Sequence, residues 1–567
     1  MAIITMTWVS VAAQDLTTTL TFIETTDVHG SYYSYDFIRC ADTNGGLTRV
    51  ASYVEEQRKA NPGRVILMDN GDILQGQPVA YYYNFIDTTS VHLSAAMLNR
   101  MGYDCGTMGN HDVEAGPAVY NRWVSDCQFP VLGANIIRRD TGEPYLPPYV
   151  MIERDGVRVA VLGMITPAIP SWLPENLWKG LEFEDMEQCA RRWVKKIEET
   201  ENPDVMVGLF HAGPEGNKLD DVIENGSKLA AVGVPGFDVV FMGHDHQVMC
   251  EKVANVEGDS VLLINPANAA RRVAEVKMTV TKESGKVTDK KVEGRIVSMK
   301  DYADEPAFAE EFAPQLQATR DFVSKRIGSI RATITSQDAF FGSSAFIDLI
   351  HSLQMDISGA EVSFCAPLAM SAELKEGDIY MSDMFNLYRF ENLLYVMELT
   401  GQEIKGFLEM SYGLWTDQMT SADDHLLLLN DEDKGFGRLK NASFNFDSAA
   451  GIIYTVDVTK PVGEKVNILS MADGSEFSLT KKYRVAVNSY RGNGGGDLLT
   501  KGAGIPKEEL AKRIVFSTVK DLRYYLMERI EQAGTIDPKP LGHWKFIPED
   551  WVEAAAKRDR EILFGNH

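Results

Sequence analysis

The sequence predicts an α/β layer fold over residues 15–302 and a second α/β unit over residues 329–540. Three observations carry this expectation. Short apolar runs rich in β-branched residues alternate with helical patterns through the first half. Clusters of Asp, Asn and His follow those runs. Near Met299 the alternation stops, and a polar helical stretch separates it from a new series of strand and helix patterns. A chain of 567 residues is also too long for one core, which suggests two or three domains.

Taken in order, residues 1–14 hold an apolar stretch, Met1 to Ala13, that ends in small residues. It lacks a basic flank but has the character of a signal-peptide remnant, so the expected location is periplasmic or secreted. It is too short to cross a bilayer, and no later run approaches the ~20 apolar residues of a membrane helix. Strands are expected at Leu20 to Ile23, Val65 to Met68, Val131-Leu132, Val157 to Leu162, Val205 to Phe210, Val239 to Met242 and Val261 to Ile264. Helical patterns fall between several of them, at Gly46 to Lys59, Val91 to Met101 and Met186 to Glu198. Continuous apolar runs alternating with helices indicate sheets covered by helices. Residues 303–328 are expected to connect the units, with one long helix from Pro306 to Arg326 disturbed at Pro314. The second unit shows a helix at Ser343 to Met355, with Phe346, Leu349, Ile350 and Leu353 at helical spacing. Another helix starts at the capping-box pattern Thr400-Gly-Gln-Glu403. Strand-like runs follow at Gly451 to Val458 and Tyr483 to Asn488. Residues 541–567 are the tail, in which Trp544 to His567 reads as an accessory surface helix.

Composition narrows the function. At 44% hydrophobic and 24% charged the chain is an ordinary globular protein, and its formal charge is −25 from 56 basic and 81 acidic residues. That balance excludes a basic groove for nucleic acid. It is compatible with a nucleotide-sized substrate, because a bound cation reverses the local sign. The six cysteines show no C-x-x-C spacing and are expected to be mostly free, packed thiols.

The chemistry lies in five polar clusters: Thr26-Asp27-Val-His29-Gly30, Asn70-Gly71-Asp72, Gly109-Asn110-His111-Asp112-Val-Glu114, Phe210-His211-Ala-Gly213 and Gly243-His244-Asp245-His246. Open α/β sheets bind ligands beyond the carboxyl ends of their strands, so these loops should converge on one edge. They offer oxygen and imidazole donors and no thiolate, a mix suited to Mn²⁺, Zn²⁺, Fe or Co. The donors exceed the need of one ion but suit two that share a bridging carboxylate.

In this order the motifs D-V-H-G, N-G-D, G-N-H-D, H-A-G and G-H-D-H resemble the calcineurin-like metallophosphoesterase family. The continuation to Asn488-Ser-Tyr490-Arg-Gly-Asn-Gly494-Gly-Gly496-Asp497 resembles the bacterial two-domain 5′-nucleotidases, which include 2′,3′-cyclic-nucleotide 2′-phosphodiesterase/3′-nucleotidases. The resemblance covers roughly residues 18–535. It implies a four-layer sandwich followed by a C-terminal nucleotide-binding domain, and two divalent ions. Asp27, His29, Asp72 and His246 would hold the first ion; Asp72, Asn110, His211 and His244 the second. His111 would donate to a phosphoryl oxygen, oriented by Glu114, while a metal-held hydroxide attacks phosphorus in line. Phe390, Asn392, Tyr490 and Asp497 would bind base and ribose. Asp112 and Asp245 are expected to orient ligands or form turns.

Some features divide the branches. Glu114 leans towards the 5′-nucleotidases, whereas Asp69 to Gly76 and Glu224-Asn-Gly226 look closer to the cyclic-nucleotide phosphodiesterases. Ala366 to Glu373 lacks the arginines that 5′-nucleotidases typically carry there, with Arg491 a candidate replacement cation. The expected activity is therefore a 5′-nucleotidase-type hydrolase. A 2′,3′-cyclic-nucleotide 2′-phosphodiesterase/3′-nucleotidase, a UDP-sugar hydrolase, a thiosulfohydrolase-like reaction and a non-catalytic nucleotide-binding surface protein are the alternatives. The expected partner is a small nucleotide, and the expected assembly a monomer or dimer.

Overall fold

A computed structural model describes residues 15–216, 218–219, 222–432 and 438–565. The signal-peptide reading of residues 1–14 lies outside the described residues. The chain forms two compact units. One runs up to Pro170 and resumes over Glu175–Thr319; the other comprises Ser171–Pro174 and Arg320–His567.

The first unit is built on two six-stranded sheets. One has the order Lys286–Ser298, Arg272–Glu283, Leu16–Thr25, Val65–Asp69, Cys105–Thr107, Val131–Leu132. The other has the order Val248–Ala254, Ser260–Pro266, Val239–Met242, Val205–His211, Val157–Ile165, Tyr149–Arg154. Leu20, Phe22, Ile66 and Met68 of the first pack against Val159, Val161, Val207 and Phe241 of the second, so the sheets meet face to face across a dry core. In the first sheet Leu16–Thr25, Val65–Asp69, Cys105–Thr107 and Val131–Leu132 are parallel neighbours. The helices connecting them, Leu47–Ala60, Leu93–Met101 and Pro117–Asp126, therefore all cross on one face of the sheet. Over the second sheet, Met186–Glu201 is capped by Asp185, which accepts from the Gln188 N–H. Its buried stripe of Met186, Cys189, Ala190, Trp193, Val194 and Ile197 repeats at helical spacing. Helix, sheet, sheet and helix make the four layers.

In the second unit, Ser448–Ala450, Val362–Cys365, Lys482–Asn488, Leu393–Thr400 and Ile514–Asp521 form a five-stranded sheet. The capping box is present: Thr400 Oγ1 accepts from Glu403 N–H (3.2 Å), and Glu403 Oε2 accepts from Thr400 N–H (2.6 Å). In the helix Ala345–Ser358 it is Ile347, not Leu349, that joins Phe346, Ile350 and Leu353 in the core.

Two expectations need correction. The connector is two helices, Pro306–Glu311 and Ala313–Val323, followed by the strand Arg326–Ile330. The break falls at Phe312. Pro314 sits in the first turn of the second helix, where its missing N–H is no loss. The tail holds the expected helix, Glu549–Phe564, but it is more than a surface accessory, since Val552 and Ala555 join the core. Its Trp544–Ile547 strand pairs in parallel with Ile452–Asp457, and Trp544 and Phe546 are buried against Tyr412, Trp415 and Tyr454.

Candidate metal centre

The strands Leu16–Thr25 and Val65–Asp69 end in register, Thr25 opposite Asp69. The backbone stays paired beyond them: Asp27 N–H donates to Gly71 O and His29 N–H to Asp72 O, each 2.9 Å. On the second sheet Phe210 lies opposite Met242, so His211 and the Gly243-His244 turn leave the same edge. Two bonds join the loops of the sheets. His244 N–H donates to the Asp27 carboxylate (3.0 Å to Oδ2), and Asn70 Nδ2 donates to Phe210 O (3.1 Å).

This convergence creates two donor groups, Asp27 with His29 and His246, and Asp72 with His211 and His244. In each, the ligating atoms lie within 4.8 Å of one another. In the first, His246 Nε2 is 3.3 Å from Asp27 Oδ1 and 3.0 Å from His29 Nε2. His29 Nδ1–H is held by Gln75 O (3.2 Å), which turns its Nε2 lone pair inward. In the second, His211 Nδ1–H donates to Asn70 O (2.6 Å), and its Nε2 is 3.2 Å from both Asp72 Oδ2 and Asn110 Oδ1. Asn110 Oδ1 is also 2.7 Å from His244 Nδ1. Asn110 thus stands between the two imidazoles of that group.

The residues fit a pair of divalent cations. Asp72 Oδ2 is buried and makes no hydrogen bond, although His211 Nε2 is close by; its other oxygen accepts from His111 N–H (2.8 Å). Burial opposes charge on Asp72, yet the neighbouring histidines, His211 first, hold its carboxyl well below the usual range. Burial likewise disfavours a charged His211, but Asp72 and Asp27 outweigh it and raise its pKa to about 10. Burial pushes Glu24 well above its usual range and Asp69 up to about 8, which concentrates the fixed negative charge on Asp27 and Asp72.

The backbone is bent to present these donors. Asp27 (φ 49°), His29 (49°), Asp72 (56°), His244 (74°) and His246 (57°) all adopt the left-handed region, at a cost of roughly 1–3 kcal/mol each. Gly109 permits the closest approach, since a Cβ there would lie 2.1 Å from Asp72 Oδ1. Asp112 braces the same turn. It accepts from the N–H groups of Asp72 (2.8 Å), Ile73 (2.9 Å), Leu74 (2.8 Å) and Gly109 (2.8 Å). Asp245 closes its own turn, accepting from Gln247 N–H and Asn265 Nδ2. His111 stands on the short helix Asn110–Glu114, its Nδ1 2.5 Å from Glu114 Oε2 and its ring 5.4 Å from that of His29.

In the second unit the expected base-binding residues fall into two braced segments. Arg523, almost fully buried, donates to Tyr388 O, Arg389 O and Glu391 Oε1, which fixes the backbone around half-buried Phe390 and buried Asn392. Tyr490 meets Phe444 edge to face at 6.2 Å, and a Cβ on Gly495 would lie 2.5 Å from its ring. Asp497 is paired with Lys501 (2.7 Å) and accepts from Thr500. Arg491 is not an available cation. It is 1% exposed, ion-paired with Asp447 (2.7 Å) and bonded to Phe444 O, Asn445 and Gly495 O, so its charge is consumed in holding the glycine loop.

Two family models match this chain, calcineurin-like phosphoesterase over residues 20–248 and 5′-nucleotidase C-terminal domain over residues 323–501. The chain carries a calcineurin-like phosphoesterase domain followed by a 5′-nucleotidase C-terminal domain. Such phosphoesterases use divalent metals, and the enzyme is a phosphoric ester hydrolase. The phosphoesterase is 26% identical over 592 residues to the trifunctional nucleotide phosphoesterase YfkN of Bacillus subtilis; the match covers 93% of this chain but 39% of that protein. It is 27% identical over 594 residues to the 2′,3′-cyclic-nucleotide 2′-phosphodiesterase/3′-nucleotidase of Haemophilus influenzae, covering 93% of this chain and 87% of that one. A solved Staphylococcus aureus structure assigned as a 5′-nucleotidase shares its fold, with TM-score 0.78 and 23% identity over 93% of this chain and all of that one.

Sequence reasoning missed the groups behind the donors. Gln75 O, Asn70 O, Glu224 and Asn268 each meet a cluster imidazole. Two of these contacts are backbone carbonyls, which no side-chain pattern reports. Among the described residues all six cysteines are free, but Cys40 and Cys250 are exposed rather than packed. No helix among the described residues is long and apolar enough to cross a membrane.

Proposed function

We propose that this phosphoesterase hydrolyses phosphate monoesters of nucleotides in the manner of a 5′-nucleotidase, at a centre of two divalent ions drawn from Mn, Zn, Fe or Co. Asp27, His29, Asp72 and His246 would hold one ion. Asp72, Asn110, His211 and His244 would hold the other. The observation that carries this reading is the buried, unbonded Asp72 Oδ2 lying between donors of both groups. When bound, such ions supply Lewis acidity to a phosphoryl oxygen and acidify a water.

The chain's own groups do the rest. His111 donates from Nε2 to a phosphoryl oxygen and neutralises charge as it develops there. Glu114 accepts from Nδ1–H, which fixes the ring's direction. Asp112 keeps the Asp72 and Gly109 turns in register. Phe390 and Tyr490 offer rings to a base, and Asn392 and Asp497 offer polar atoms to base or ribose. The braced backbone of both segments supports this part of the reading.

The similarity to the H. influenzae enzyme favours a second reading, 2′,3′-cyclic-nucleotide 2′-phosphodiesterase/3′-nucleotidase activity at the same centre. Phosphate release from 5′-AMP, 3′-AMP, 2′,3′-cyclic AMP and UDP-glucose, in EDTA and then with added Mn²⁺, is the test. Metal-dependent release with 5′-AMP preferred supports the first reading, and preference for the cyclic substrate supports the second. No release with metal bound refutes both. We also propose a periplasmic or secreted location, supported by the apolar Met1 to Ala13 stretch. Cell fractionation tests the location, and gel filtration tests whether the protein is a monomer or dimer.

A further inference from the structure

We propose that Glu224 is a positioning residue that orients His244 and so sets the affinity of the second ion site. The proposal rests on the two-ion reading above. His244 Nδ1 faces Asn110 Oδ1 (2.7 Å) on the cluster side, while Nε2 lies 3.0 Å from Glu224 Oε1 on the other. A neutral imidazole carries one N–H. An acceptor at Nε2 therefore commits Nδ1 to present its lone pair to the cluster.

The backbone that carries this carboxylate is fixed. Thr166 Oγ1, fully buried, donates to Glu224 O (2.7 Å). The next residue, Asn225, accepts from Gly213 N–H (2.6 Å) through Oδ1. Ser227 then donates from Oγ to Ala212 O (2.8 Å) and from its N–H to Gly213 O (3.2 Å). The Glu224-to-Ser227 segment is thus strapped to the residues directly after His211, the other imidazole of the same group. A Cβ on Gly213 would lie 2.9 Å from Asn225 Oδ1, so the strap lies flat on that turn. Glu224 and His244 side chains are 25% and 10% exposed, which leaves their bond only partly screened by water.

The histidines also differ in how they are held. His29 and His211 lean on backbone carbonyls, Gln75 O and Asn70 O. His244 leans on a carboxylate, which strengthens the ring as a donor. It makes the second site sensitive to one side-chain charge.

The test is Mn²⁺ titration of the metal-free full chain, followed by calorimetry and by the electron paramagnetic resonance of the bound ions. The wild type should take up two ions and show a spin-coupled pair. Glu224→Ala should keep one site at wild-type affinity and weaken the other by about 10–100-fold. Glu224→Gln still accepts the Nε2–H and should fall between the two. The metal-free variants should melt with the wild type. Unchanged affinity at both sites in Glu224→Ala overturns the proposal. So does equal weakening of both sites with a lower melting temperature, which would make Glu224 a loop brace. A wild type that binds fewer than two ions refutes the two-ion reading itself.

Discussion

Removing Glu114 should slow turnover without emptying the metal centre. Its Oε2 lies 2.5 Å from His111 Nδ1, and the two side chains are 11% and 27% exposed. A hydrogen bond to a charged partner in such a site contributes about 1.5–3 kcal/mol. If that contribution is realised as His111 meets the developing phosphoryl charge, its loss costs roughly 10–150-fold in kcat. Glu114→Ala should approach the upper end of that range. Glu114→Gln keeps an acceptor and should stay near the lower end. His111→Asn removes the donor itself and should cost about 10²–10³-fold. Glu114 belongs to neither donor group, so metal content should hold at the wild-type level. The assay pairs initial rates of phosphate release at saturating nucleotide with elemental analysis of the same samples. The reasoning fails if Glu114→Ala loses its metal in step with its activity. It fails equally if kcat stays within about threefold of wild type, a change under 0.7 kcal/mol.

Asp72 faces both donor groups and Asp27 belongs to one, so elemental analysis should find both ions depleted in Asp72→Asn and chiefly one in Asp27→Asn. Arg491→Met would leave Asp447 charged and buried, and should destabilise the second unit by roughly 3–5 kcal/mol, measured by denaturant unfolding. Burial holds His92 and His351 at pKa values of about 3, below an ordinary 6.5. For a base with a depressed folded pKa, stability is full above the unfolded pKa and falls as pH drops towards the folded one. Each should therefore remove about 2 kcal/mol between pH 7.5 and 5, and His351→Gln should flatten that dependence in the second unit's unfolding transition.

The parts of this protein legible in sequence are those in which side-chain type and spacing coincide with structure. The buried strands of both sheets read as apolar runs, and Asp27, His29, Asp72, Asn110, His211, His244 and His246 stand in short clusters just beyond strand ends. The long hairpin Arg272–Glu283 and Lys286–Ser298 was hidden because Lys286–Ser298 is largely exposed, with a charged pattern that lacks an apolar run. The Trp544–Ile547 strand is four residues long, too short for its alternation to stand out from a tail. Asp112 shows its neighbourhood in sequence but not its four N–H partners, because three of them belong to a loop about forty residues away. Arg491 looked free beside a glycine-rich loop, and only folding brings Asp447 to it.

The left-handed turns under the donors restrict how this centre can evolve. Asp27, His29, Asp72, His244 and His246 occupy backbone that tolerates Asp, Asn and His and penalises bulky or β-branched side chains. Many exchanges that would bring another coordinating group to these positions strain the chain before any ion is chosen. Drift in metal preference is therefore channelled to the residues behind the donors. Glu224 and Asn268 touch the imidazoles from positions outside the left-handed set, and they can vary without unbending the turns.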